Sequence, residues 1–184
     1  MNITYIVGAI VLVIIIWAVA LYNRFVTLTN RVKEAWSDID VQFKRRYDLI
    51  PNLVETVKGY AAHEAGTLTQ VTEMRTRAMN ATAPAEKAEA ENMLSGALKS
   101  LFAVSENYPN LKANENFMQL QEELTSTENR ISFARQYYND SAAIYNQALE
   151  TFPSNMVAGM FHFQPRDFFE VEAPAERQAP KVQF

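Results

Sequence analysis

A chain of 184 residues has room for about one domain, and 17 Lys and Arg against 21 Asp and Glu leave a formal net charge of −4 with no basic arm, which weighs against nucleic-acid binding. It contains no cysteine, so disulfides, thiolate metal sites and thiol catalysis are excluded together. The five glycines form neither a G-x-G-x-x-G cluster nor a P-loop, which argues against a nucleotide enzyme.

Residues 3–22, ITYIVGAIVLVIIIWAVALY, carry no charge and match the roughly 20 residues that a helix needs to cross a bilayer. Trp17 and Tyr22 sit toward one end, as interfacial aromatics do. Ala18-Val19-Ala20 resembles a signal-peptide cleavage site. The positions ahead of the run hold no Lys or Arg, however, and the run exceeds the usual apolar region of such a peptide, so an uncleaved anchor over residues 1–23 is expected. Arg24, Arg31 and Lys33 follow the span, which places the N terminus outside and the remainder inside.

Val32, Trp36, Ile39, Phe43, Tyr47 and Ile50 recur at spacings of three and four, so the anchor is expected to run on as one amphipathic helix. Pro51 then kinks this rod or opens a new helix, and a second rod carrying Leu53, Val57, Tyr60, Leu68, Val71 and Met74 reaches about Asn80. Lys44, Arg45 and Arg46 are bunched just ahead of the proline. On a straight helix they stand roughly 33 Å beyond Tyr22, out of reach of lipid charge, which fades within about 8 Å. Two readings are open for them: a solvated helix face, or a contact for the acidic face of a neighbouring subunit.

Asn80 to Glu89 has turn chemistry, with Pro84 near the start of a third helix. Glu86, Glu89 and Glu91 suit the dipole of its first turns. Pro109 is expected to stop it and Asn110 to cap a fourth. That fourth helix alternates three and four for ten positions, Phe117, Leu120, Leu124, Thr127, Ile131, Ala134, Tyr138, Ser141, Tyr145 and Ala148, a coiled-coil-like heptad seam. Its large line, Phe117, Leu124, Ile131, Tyr138 and Tyr145, reads as core packing inside one bundle, with association between chains as the other reading. From 151 to 184 the periodicity ends in an irregular aromatic tail that includes Phe161, Phe163, Phe168 and Phe169. It is expected to fold over the bundle, meet another subunit or touch the membrane.

Catalytic and metal signatures are missing. Neither His63 nor His162 belongs to a Glu-x-x-His pair of the kind that holds two metals in helical bundles, and H-E-x-x-H fails at Thr67. No nucleophile elbow or triad sequence is present, and Glu122-Glu123 point apart on a helix. No catalytic residue, metal or cofactor is assigned.

The blocks NRVKEAWSDIDVQFKRRYDLIPNLVETVKGYAAHE, LSGALKSLFAVSENYPNLKANENFMQLQEELTSTENRISFARQYYND and YNQALETFPSNMVAGMFHF resemble the LemA family of bacterial membrane proteins. The resemblance implies a short outward N terminus, one span and a cytoplasmic four-helix bundle at the bacterial inner membrane, with no established catalytic residue or cofactor. It also implies a smaller residue, usually glycine, at the place of His162.

The sequence therefore predicts an all-α chain: a transmembrane anchor (1–23) continuing into a long antiparallel four-helix bundle (24–150), then an irregular apolar tail (151–184). The leading function is a non-enzymatic scaffold, held in the lipid bilayer through residues 3–22 and assembling into a homo-oligomer larger than a dimer. Lys44, Arg45, Arg46, Phe161, Phe163, Phe168 and Phe169 are its candidate contacts. The alternatives are membrane remodelling or envelope-stress sensing through the aromatic tail, and an enzyme whose site is not legible in sequence.

Overall fold

A computed structural model describes residues 3–169, and all regular structure among them is helical. Helix α1 spans Ile3–Lys58, α2 Ala65–Asn80, α3 Pro84–Ser105, α4 Pro109–Lys112, α5 Glu115–Glu150 and α6 Ser154–Met160, with a 3₁₀ turn at Ala62–Glu64. The opening stretch of α1 is long and apolar enough to cross a membrane, and its side chains are exposed.

The helix does not stop at Pro51; it continues through the proline to Lys58. A proline at this position has no N–H for the carbonyl of Tyr47 four residues earlier. Arg75 of α2 replaces that donor, its Nε donating to the Tyr47 carbonyl at 2.8 Å. The break falls instead after Lys58, where the Val57 carbonyl accepts from the N–H groups of both Tyr60 and Ala61. Ala61 then leaves helical geometry, with φ −127° and ψ 54°. The expected second rod is therefore two pieces, because Gly59 and this tightened turn end α1 before α2 begins.

Two compact units divide the chain, and both α1 and α5 contribute to each. In the unit made of residues 3–40 and 133–168, α1 buries Phe25, Leu28, Val32, Ala35 and Ile39, again at spacings of three and four. The two helices run antiparallel there: Phe25 meets Tyr145 at 6.4 Å between ring centroids, and Trp36 meets Tyr138 at 5.4 Å. In the unit formed by 41–132 with Phe169, the core comes from Phe43, Ile50, Leu53 and Val57 of α1, Leu68 and Val71 of α2, Leu94 and Leu101 of α3, and Phe117, Leu124 and Ile131 of α5. Helix α2 packs along α3.

Pro84 opens α3 at its first turn. The next junction differs from expectation. Pro109–Lys112 forms its own short helix, and the cap of α5 is Asn114 rather than Asn110, its Oδ1 accepting from the Phe117 N–H at 3.0 Å. The tail is also more ordered than its lost periodicity implies, because Ser154–Met160 makes two turns of helix, too short a run to carry a visible period. That helix closes in a Schellman arrangement, with Phe163 N–H to the Ala158 carbonyl at 3.0 Å and His162 N–H to the Gly159 carbonyl at 3.3 Å. His162 holds the left-handed position at φ 56°, where the motif favours glycine. The segments EVEAPAERQAP and KVQF lie outside the described residues.

Candidate functional site

Within the 41–132 unit, the positions that the helical spacing reserves for apolar residues include charges. Along α1 the buried line runs Phe43, Arg46, Ile50, Leu53 and Val57; along α3 it runs Lys87, Glu91, Leu94, Leu98, Leu101 and Ser105. Arg46 is 1% exposed and Glu91 0%. The Arg46 Nη1 donates to Glu91 at 2.9 Å and to the Ser95 Oγ at 3.2 Å, and its Nη2 pairs with Glu128 of α5. The Tyr47 hydroxyl donates to the other oxygen of Glu91. Lys87 donates to the Ala78 carbonyl at 2.9 Å, and its ammonium lies 5.5 Å from the Phe43 ring centroid and 5.3 Å from that of Tyr47.

This network joins α1, α3 and α5 through charge. Removing one partner of a buried pair typically costs about 3–5 kcal/mol, because the other charge is left without compensation in low dielectric. Sliding α3 along α1 by one turn would strand Arg46 in the same way, so the pair constrains register. A cleft of about 190 Å³ beside it is lined by Arg46, Ser95, Leu98, Phe102, Leu124 and Glu128 among others. That is below the roughly 300–1,000 Å³ of ordinary small-molecule sites. Among the described residues no group of three His, Asp or Glu gathers as a metal site.

The second arrangement lies in the 3–40 and 133–168 unit. Residues 163–168 are strapped along α5 by polar tips on aromatic and amide side chains. Tyr145 donates its hydroxyl to the Gln164 carbonyl at 2.9 Å, and Tyr138 donates to the Asp167 carbonyl at 2.9 Å. Asn146 both donates to the Arg166 carbonyl and accepts from its N–H, each at 2.8 Å. This explains why the large line of α5 changes to tyrosine at its end: a phenylalanine there leaves backbone carbonyls without donors. Burial pushes the Tyr138 phenol above its ordinary value, helped by the Asp167 carboxylate and opposed by Arg166. Aromatic rings complete the cluster, with Phe161 4.7 Å from Tyr22, and Phe163 5.9 Å from Tyr22 and 4.9 Å from Phe25.

The residues singled out from sequence are dispersed between these places. Lys44 and Arg45 are exposed, Arg45 paired with Glu123, whereas Arg46 is enclosed by acids of its own chain. Phe161 and Phe168 are partly exposed and Phe163 is half-buried. Phe169 is buried, with its ring 6.0 Å from that of Phe43. Phe117, Leu124, Ile131, Tyr138 and Tyr145 are all buried. Glu91, Glu128, Lys87 and Arg75 were not anticipated. Glu91, read as one of the carboxylates that suit the dipole of the first turns of α3, is the eighth residue of that helix and fully inside. The readable signal is opposite charge at apolar positions on two helices, Arg46 on one and Glu91 on the other.

Known proteins match across most of the chain. Magnetosome protein MamQ 2 of Paramagnetospirillum magneticum and magnetosome protein MamQ of Magnetospirillum gryphiswaldense are each 27% identical over 180 residues, covering 84% of this chain and 66% of their own length. Protein LemA of Metamycoplasma hominis is 30% identical over 140 residues, covering 74% of this chain and 63% of its own. The chain thus spans just under two thirds of the length of these relatives. The LemA family matches residues 35–184, which include the Arg46–Glu91 network and the strap of residues 163–168 along α5, and the chain belongs to the LemA family.

Proposed function

We propose that this membrane-associated helical protein is a non-enzymatic scaffold, anchored once in the bacterial inner membrane and assembling with copies of itself on the cytoplasmic side. The observation that carries the reading is α1: one unbroken helix supplies both the exposed apolar run and, from Phe25 to Val57, a line of buried core residues. The anchor is therefore built into the folded body rather than tethered to it. The body is an antiparallel four-helix bundle of α1, α2, α3 and α5. Support for this comes from bonds that join α1 to each of the other three: Arg75 of α2 to Tyr47, Glu91 of α3 to Arg46, and Glu123 and Glu128 of α5 to Arg45 and Arg46.

Neighbouring copies meet around Lys44 and Arg45, which stay at the surface. The pairing of Arg45 with Glu123 is exposed and contributes roughly 0–1 kcal/mol, so substituting Lys44 and Arg45 leaves the fold intact. Light scattering of the full-length chain in detergent should give a protein mass above that of two chains, and Lys44→Glu with Arg45→Glu should lower it. A single chain per micelle at micromolar concentration defeats the assembly reading. A second reading, action on the membrane through the tail, is favoured by the exposed apolar side chains of α6 and its flanks.

A further inference from the structure

Helix α6 has two unlike sides. Ser154, Val157 and Ala158 are buried. Met156 and Met160, one turn apart, are 63% and 73% exposed, and the flanking Phe152 and Phe161 are 74% and 50% exposed. From Thr151 to Pro165 the chain has no Asp, Glu, Lys or Arg, and His162 is its one titratable side chain. Four large apolar groups exposed on so short an uncharged segment are costly to leave in water.

The position of the segment identifies what covers it. The Phe161 ring packs on Tyr22 at 4.7 Å, and Tyr22 is the last residue of the apolar run of α1, two residues before Arg24. A side chain that touches Tyr22 sits at the depth where the anchor leaves the hydrocarbon, the level that tyrosine and other amphipathic aromatics favour. The exposed face of α6 is thus continuous with the lipid-covered surface of the anchor, and an uncharged amphipathic segment at that depth inserts its apolar side among headgroups and upper acyl chains.

We infer that Phe152, Met156, Met160 and Phe161 form a second membrane contact, in which α6 lies in the interface beside the foot of the anchor and its Met and Phe side chains enter the lipid. The contact rests on residues 3–22 being the span, and it gives the tail reading a definite surface and occupant. It also orients the protein: a second contact beside the foot of the anchor restricts the tilt of α1 in the membrane.

The native chain lacks cysteine, so single cysteines carry a nitroxide label without background. Full-length Met156→Cys, Met160→Cys and Phe152→Cys are reconstituted in vesicles of phosphatidylethanolamine and phosphatidylglycerol, with Ile10→Cys and Glu150→Cys as references for the span and the surface. Collision with oxygen, which concentrates in lipid, is compared with collision with a nickel chelate, which stays in water. Labels at 152, 156 and 160 should resemble the Ile10 label, with a ratio of oxygen to nickel collisions severalfold above that of the Glu150 label. Nickel accessibility equal to that of the Glu150 label would overturn the inference. Protection from both reagents would overturn it too: protection that disappears on diluting protein in lipid would give the face to a second copy, and protection that persists would give it to the chain itself. An Ile10 label open to nickel would instead overturn the span.

Discussion

A proline inside a helix leaves the carbonyl four residues earlier without its donor, and at Tyr47 that group belongs to a residue otherwise buried. Arg75 closes the gap from α2, which turns a local defect of α1 into a specific tie between two helices. Arg75→Ala should therefore lower unfolding free energy by about 1–3 kcal/mol, the cost of a buried acceptor left unmet. Pro51→Ala restores a backbone donor to the same carbonyl, so Arg75→Ala should cost clearly less in that background. Urea unfolding of the four proteins of this cycle measures the difference, and equal costs in both backgrounds would refute the coupling.

At the scale of elements, α5 shows how one heptad line serves two purposes. Phe117, Leu124 and Ile131 bury hydrocarbon alone, whereas Tyr138 and Tyr145 bury their rings and hold residues 163–168 by their hydroxyls. Tyr138 is favoured in its neutral form, since burial and Asp167 raise its pKa from the ordinary 10.0. The sign follows from linkage. The stabilisation is fully present below the unfolded value and is lost as pH rises through the higher folded value. Tyr138→Phe should be less stable than the parent by about 1 kcal/mol near neutral pH, where one hydrogen bond is missing. The gap should narrow above pH 10.0, where the parent alone must keep this phenol protonated. Urea midpoints for both proteins on either side of that pH test this, and a gap independent of pH would show that the Tyr138 proton is not linked to folding.

For the whole molecule, the question of topology follows from a few charges. Arg24, Arg31 and Lys33 follow the apolar run, and cations close to a span are retained on the cytoplasmic side. A phosphatase that is active only outside the cytoplasm, fused after Phe184, should be silent, while a fluorescent protein that matures in the cytoplasm should be bright. An active phosphatase would invert the topology and place the Arg46–Glu91 network and α6 on the other face of the membrane.

The long helices and the apolar run are legible without coordinates because each depends on neighbours three, four or about twenty residues apart, and backbone geometry alone relates those positions. The same holds for the large line of α5 and the family resemblance. Only the tertiary structure decides where the charges go. Arg46 and Glu91 are 45 residues apart in sequence, Tyr47 and Arg75 28, and Tyr138 and Asp167 29. No local period relates such pairs; they meet because burial of the apolar lines brings particular helix faces together. A buried arginine then needs an acid, and a proline-freed carbonyl needs a donor. Pro51 reads as a break from sequence since its cost is local, while the group that offsets it arrives from another helix.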